Sequence, residues 1–445
     1  MWCYVKNEDV ESFLDQYPNL QNYWDCLVLM KTKDVCFLPR LFIKNYPSDY
    51  LVEYEGQTKA IYDKIDFKFN GKLREAQKSA VKMVEKIYKK EGFVNGILKL
   101  PPGTGKTVLT IYLASLLGLK TCIVIDSDSL FKQWIREIMT FADITEDDIG
   151  IIKQKLFVTK NKMFTVAMSG TLTSKLKRNI NEAFHNINKS NFGLVVFDEV
   201  HATSSTSIYS RVSLLFRTKN IIGLSATPFH YAEQEILMNN TIGEIIYESN
   251  DYELTPEYRL IHYDSKLKKE VYVINKFQDY IQKKGFYNKN IVKSESYLQL
   301  VKDCVKEACD NNHNVIVVCM TKVQVKLISE HLDIMGIEHR RYYGDEKEVD
   351  KEQDKVLVVT YSFAGKGFSM SSLSALVMAT SLSGKKSLIQ VVGRILRSNK
   401  NKQKPVVYDL VDDRFPILSV PEVKRKKNII KTEFPGCKIK EYLRE

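Results

Sequence analysis

The sequence predicts an α/β protein: two tandem lobes, each built on a parallel sheet, behind a small N-terminal module. Three observations carry this. Short apolar runs alternate with helical segments in both halves of the chain, the rhythm of β-α-β units. A glycine-rich turn, Leu100-Pro101-Pro102-Gly103-Thr104-Gly105-Lys106-Thr107, stands between one such run and an apolar helix. The 445-residue length exceeds what one core usually supports.

Residues 1–65 precede the first recognisable strand and form the accessory module. They are rich in aromatics (Trp2, Tyr4, Phe13, Tyr17, Tyr23, Trp24, Phe37, Phe42, Tyr46), which read either as the core of a small module or as a nucleic-acid surface. Residues 66–245 form the first lobe, with strands expected at Gly96–Leu100, Cys122–Ile125, Phe164–Met168, Leu194–Phe197 and Ile221–Leu224. Residues 246–445 form the second lobe, with strands at Val315–Cys319, Val356–Thr360, Leu376–Ala379 and Val406–Leu410. That lobe repeats the plan of the first without the glycine-rich turn. Its lysine-rich segment Val271–Tyr297 reads as an insertion.

The turn at 100–107 has the composition of a phosphate cradle. Gly103 and Gly105 let backbone N–H groups point inward at an anion. Lys106 reaches β- and γ-phosphates, and the Thr107 hydroxyl can hold Mg²⁺ at a helix start whose dipole favours negative charge. The usual spacing has Gly or Ala six residues before the lysine, where this chain has Leu100. The run Leu194–Phe197 leads into Asp198-Glu199-Val200-His201. Acids at the carboxyl end of a buried parallel strand suit nucleotide hydrolysis. Asp198 is expected to bind Mg²⁺ through water, and Glu199 to orient and deprotonate the attacking water. ATP and Mg²⁺ are thus the expected cofactors.

With these two motifs in place the chain resembles the superfamily 2 helicases, with the DEVH form of the acid motif. Further signatures follow in order. Leu73-Arg74-Glu75-Ala76-Gln77 resembles the adenine-reading Q motif through Arg74 and Gln77. Ser129-Leu130 with Gln133-Trp134 resembles motif Ia, a nucleic-acid backbone contact. Leu224-Ser225-Ala226-Thr227-Pro228 resembles motif III, and residues 360–369 (T-Y-S-F-A-G-K-G-F-S) resemble motif V. Gln390-Val391-Val392-Gly393-Arg394-Ile395-Leu396-Arg397 resembles motif VI. The resemblance covers roughly residues 70–412 and implies RecA-like lobes. It implies nucleic-acid contacts from Ser129, Gln133, Trp134, Ser169, Thr171, Thr321, Thr360 and Ser369, and a nucleotide contact from Gly367. His201, Ser225 and Thr227 would couple the nucleotide to the strand. Arg394 and Arg397, three residues apart, are expected on one side of a helix, one turn after Gln390, to meet the γ-phosphate when two lobes close. In phosphate enzymes such an arginine is worth about 10³ to 10⁵ in rate. The Gly367-Phe368-Ser369 form of motif V and the Gln133-Trp134 ending resemble UvsW-like phage recombination helicases and XPB/Rad25-like translocases. That implies 3′ to 5′ movement, remodelling of branched DNA, and DNA contact by the N-terminal module.

Composition agrees with a polyanionic partner. The net charge is +12, and duplex or branched DNA bound without sequence preference is the expected partner. The run Lys424-Arg425-Lys426-Lys427 reads either as an exposed stretch or as a phosphate contact. Eight cysteines show no metal-ligand spacing and read as core thiols of an intracellular protein in cytoplasm or nucleoid. No 18-residue apolar stretch and no signal-peptide pattern occur, so no membrane partner is expected, and a monomer is. Three alternatives stay open: an RNA helicase or transcript-release factor of the same superfamily, the motor subunit of a restriction system, and a non-catalytic scaffold.

Overall fold

The computed structural model describes residues 2–28, 30–39, 41–54, 62–200, 210–229, 232–252, 254–267, 285, 287–343, 354–365, 370–382, 384–397, 399 and 402–444. Contacts divide the chain into two units. Met1–Leu100 with Gly105–Ser249 form the first; Asn250–Glu445, with which Pro101–Thr104 are grouped, form the second.

The first unit begins with strands β1 (Trp2–Lys6), β2 (Met30–Lys31), β3 (Val35–Pro39) and β4 (Val52–Tyr54), an antiparallel sheet in the order β2-β3-β1-β4. Cys3, Val5, Phe13, Leu20, Leu38 and Phe42 fill its core, with Tyr17, Tyr23, Trp24 and Tyr46 packed around them. Phe13 stands 5.4 Å from Tyr17, 5.9 Å from Trp24 and 6.4 Å from Phe42, ring to ring. These aromatics therefore serve packing. Leu237, from the helix Ala232–Thr241, belongs to the same core. The Asn45 amide donates to the Asn239 carbonyl and the Asn240 side chain, at 3.2 and 3.1 Å. The module is thus seated on the lobe that follows it.

Among the described residues that lobe is built on eight strands: β5 (Asn95–Lys99), β6 (Thr121–Ile125), β7 (Ile149–Lys153), β8 (Leu156–Val158), β9 (Phe164–Met168), β10 (Leu194–Asp198), β11 (Asn220–Ser225) and β12 (Ile245–Glu248). Their order is β12-β5-β11-β10-β6-β9-β7-β8, parallel except for the β7–β8 hairpin. Apolar residues cover both faces: Leu194 and Val196 join one core, Val195 and Phe197 the other. Uninterrupted apolar runs are what such strands require. A boundary at 245/246 cuts through β12, which pairs with β5, so the division falls at 249/250 instead.

Among the described residues the second unit holds seven strands: β13 (Glu257–Tyr263), β14 (Asn314–Cys319), β15 (Arg340–Tyr342), β16 (Val356–Thr360), β17 (Leu373–Met378), β18 (Val406–Asp412) and β19 (Lys438–Leu443). All pair in parallel, in the order β15-β16-β14-β17-β18-β13-β19. Two parallel-sheet α/β lobes in tandem are therefore present. Most of the lysine-rich insertion, residues 271–284 and 286, lies outside the described residues.

The basic run at 424–427 is a surface feature at Lys424 and Arg425 and needs correction at Lys426. It lies on the helix Pro416–Glu433, where Lys426 is 1% exposed and its ammonium donates to Asp409 at 2.8 Å. Asp409 is itself fully buried on β18 and also accepts from the Tyr258 hydroxyl at 2.8 Å. Lys427 pairs with Glu441 at 2.5 Å. A buried cation is tolerable only with such a partner. Lys426→Met should leave Asp409 buried and uncompensated, costing about 3–5 kcal/mol. Pairing it with Asp409→Asn should recover part of that loss in urea denaturation.

Candidate nucleotide site

The loop between β5 and the helix Lys106–Leu117 has the dihedrals its sequence calls for. Gly103 and Gly105 adopt φ of +86° and +76°, a region that favours glycine. A Cβ on Gly105 would also lie 2.5 Å from the Gln77 amide nitrogen. That amide braces the loop. Gln77 donates to the Gly105 carbonyl at 2.9 Å and accepts from the Arg74 N–H at 2.7 Å, the latter half of a capping box on the helix Glu75–Glu91. The side chain is 2% exposed. These two bonds position the loop. Thr104 closes the turn by donating to the Pro101 carbonyl at 2.8 Å. Lys106 opens the helix, and its ammonium lies 3.5 Å from the Leu100 carbonyl. Thr107 is buried in the first turn.

The acids reach the same sheet edge through strand register. Lys99 on β5 pairs with Ser225 on β11, and Leu224 pairs with Asp198 on β10. The Leu100 N–H donates to the Ser225 carbonyl at 3.0 Å. Ser225 is fully buried and its hydroxyl accepts from the Thr227 N–H at 3.1 Å. Asp198 is buried, with Oδ2 accepting from the Trp134 indole at 2.9 Å and Oδ1 from the Glu199 N–H at 3.0 Å. Glu199 has φ of +51°, a left-handed conformation costing a non-glycine residue roughly 1–2 kcal/mol. Such strain often marks functional positions. Burial first, and then the Glu199 carboxylate, push the Asp198 carboxyl up to about 6, against the pull of Lys106 and the Trp134 hydrogen bond.

These residues fit a Mg²⁺-nucleotide. The positive-φ glycines leave backbone N–H groups free of Cβ cover, and Lys106 supplies a cation. Thr107 and Asp198 are hard oxygen donors of the kind Mg²⁺ takes alongside phosphate and water.

Other expected site residues stand at or just past strand ends of their own lobe: Ser129 after β6, Ser169 after β9, Thr321 after β14 and Thr360 at the end of β16. Trp134 needs correction as a nucleic-acid contact: it is 1% exposed, its ring lies in the lobe's core, and its only N–H donates to Asp198. Ser129 lies beside Ser127, which caps the helix Asp128–Phe141, and Gln133 donates to Glu137 at 2.6 Å. Ser169 and Thr360 are buried, so neither side chain is presented at the surface. The Thr171 hydroxyl accepts from the Gln154 N–H, and that of Thr321 caps the helix Lys322–Ile334. Gln390, Arg394 and Arg397 do not share one helix. The α-helix ends at Val392, Gly393–Ile395 tighten into a 3₁₀ turn, and Arg397 lies past it. Gly393, a poor helix former, stands at the change. His201, Gly367 and Ser369 lie outside the described residues.

A glycine-rich anion cradle and a buried acid thus share one parallel sheet, and a second parallel-sheet lobe follows it. Residues 70–230 match the family described as "Type III restriction enzyme, res subunit". The chain is 25% identical over 360 residues to the mimivirus protein named "Putative ATP-dependent RNA helicase L396", covering 78% of this chain and 65% of that one. It is 28% identical over 256 residues to the protein named "DNA 3'-5' translocase XPB2" of Sulfurisphaera tokodaii, covering 56% and 52%. The fold is similar to that of S. cerevisiae Dbp5 solved with RNA and ADP BeF3, with a TM-score of 0.56 and 15% identity over 84% of this chain and 90% of that one. These likenesses support a superfamily 2 helicase of the XPB-like type, and the fold is that of two RecA-like lobes. The chain spans about two thirds of the mimivirus relative's length and half of the archaeal one's. Among the described residues no helix is long and apolar enough to cross a membrane.

The raised Asp198 pKa sets a pH test. A carboxyl raised on folding contributes stability below its unfolded pKa and loses it as pH rises through its folded value. Here about two pH units correspond to roughly 3 kcal/mol. Asp198→Asn should therefore gain in melting temperature relative to wild type as pH rises through about 6, whatever its offset at pH 4. A constant offset would show that Asp198 titrates normally.

Proposed function

We propose that this chain is an ATP-hydrolysing translocase that moves on DNA. One observation carries the reading: Lys106, Ser225 and Asp198 stand on or beside adjacent strand ends of one parallel sheet, next to the glycine cradle. In this reading the cradle and Lys106 hold the triphosphate of ATP, and Thr107 and Asp198 hold Mg²⁺. The metal neutralises phosphate charge when bound. Glu199 orients and deprotonates the attacking water, and Gln390, Arg394 and Arg397 serve the same nucleotide by their places in motif VI. Ser225 and Thr227 link the cradle to the chain beyond β11, and His201 shares that coupling role.

Gln133, Ser129, Thr171 and Thr321 are our candidates for contact with the polynucleotide backbone, which predicts salt-sensitive binding without sequence preference. DNA is favoured over RNA by the DEVH form of the acid motif and by the likeness to the archaeal translocase. The motif V residues Gly367 and Ser369 favour work on branched DNA, in the 3′ to 5′ direction, by an intracellular monomer. A second reading, an RNA-directed motor, is favoured by the likeness to the mimivirus protein named as an RNA helicase.

ATPase rates measured with single-stranded, duplex, forked and four-way DNA and with RNA separate these readings. DNA should stimulate the rate, branched forms most, and Lys106→Ala should lower the stimulated rate at least 100-fold. Stimulation by RNA alone would overturn the DNA reading. Full activity in Lys106→Ala would overturn the site.

A further inference from the structure

We propose that Trp134 is a positioning residue for the nucleotide-bound metal, acting by fixing the orientation of the Asp198 carboxylate. The inference rests on the ATP reading above and deepens it.

The carboxylate torsion of an aspartate is soft, with broad wells. In this protein it is held at both oxygens: the Trp134 indole donates to Oδ2 at 2.9 Å, and the Glu199 N–H donates to Oδ1 at 3.0 Å. The two donors differ in origin. The backbone donor is adjacent in sequence and moves with the strand end. The indole comes from the helix Asp128–Phe141, which follows β6, the strand paired with β10. That helix is fixed at its start by Ser127, whose hydroxyl accepts from the Leu130 N–H at 3.4 Å. The ring is fixed by burial in the core that also holds Leu109 and Ile111 of the helix behind the cradle. Trp134 therefore references the Asp198 carboxylate to the same packed layer that carries Lys106 and Thr107.

The choice of side chain has a chemical reason. Indole is a donor only. It cannot ligate a cation, and being neutral it does not repel one. A lysine or arginine at this place would hold the carboxylate equally well but would compete with the metal for its charge. The one-donor geometry restrains Oδ2 while leaving both oxygens lone pairs for metal-bound water. Partners of this kind behind a metal-binding group typically change metal affinity about 10–100-fold when removed.

Trp134→Phe keeps most of the ring and deletes the donor. Replacement of Trp134 by benzothienylalanine, which has sulfur in place of the N–H, keeps the shape entirely and covers the case in which the phenylalanine variant folds poorly. Each full-length variant is titrated with Mn²⁺ in the presence of a non-hydrolysable ATP analogue and followed by EPR; the Mg²⁺ dependence of the ATPase is measured alongside. We expect Mn²⁺ binding to weaken about 10–100-fold. The Mg²⁺ concentration for half-maximal rate should rise in step, and analogue binding in EDTA should stay at the wild-type level. A benzothienylalanine variant with wild-type Mn²⁺ affinity would overturn the proposal and reduce Trp134 to a packing residue. Failure of the wild-type protein to bind Mn²⁺ with the analogue would instead overturn the nucleotide reading on which it rests.

Discussion

The parallel register of β5, β11 and β10 is the constraint on which the candidate site depends. Parallel strands share a carboxyl edge, so whatever follows each one emerges on the same side of the sheet. Here the glycine cradle follows β5, Ser225 ends β11 and Asp198 ends β10, and the Leu100 N–H ties the start of the cradle to the Ser225 carbonyl. Because side chains alternate along a strand, a slip of one residue in β10 would exchange its two buried faces and carry Asp198 away from the Trp134 indole. Val195 and Phe197 on one face and Leu194 and Val196 on the other make such a slip costly, since each set is packed into a different core. The hydrophobic pattern thus fixes the position of a polar group.

The cradle and the acids were legible in the sequence because their chemistry is local. Positive φ calls for Gly103 and Gly105, and the lysine and threonine must follow at once; the acid pair must follow a buried strand. The central strands were legible for a related reason: a strand covered on both faces is apolar throughout. What escaped was set by partners distant in the chain. β7, β8, β12, β13, β15 and β19 lie at or near sheet margins; β8 is only three residues long, and the others mix charged with apolar residues, as β13 does with Glu257, Arg259 and His262. Lys426 reads as one of four basic residues until β18 places Asp409 against it. Trp134 reads as part of a strand-contact motif, and nothing in its neighbours announces an acceptor 64 residues away. The Gln77 brace had no such signal, because a capping box is read from Ser or Thr at the N-cap and this chain has Arg74 there.

The N-terminal module and the first lobe share one core. It is completed by Leu237, on the helix Ala232–Thr241, a short distance along the chain from Ser225 and Thr227. The Asn45 hydrogen bonds to Asn239 and Asn240 add direction to that contact.

The central claim, that the carboxyl edge of the first sheet holds a magnesium nucleotide, is tested most directly by calorimetric titration of the unmodified chain with a slowly hydrolysed ATP analogue, in Mg²⁺ and then in EDTA. The account predicts one nucleotide per chain in Mg²⁺ and markedly weaker binding without it. Absence of binding in Mg²⁺, or equal affinity under both conditions, would contradict it.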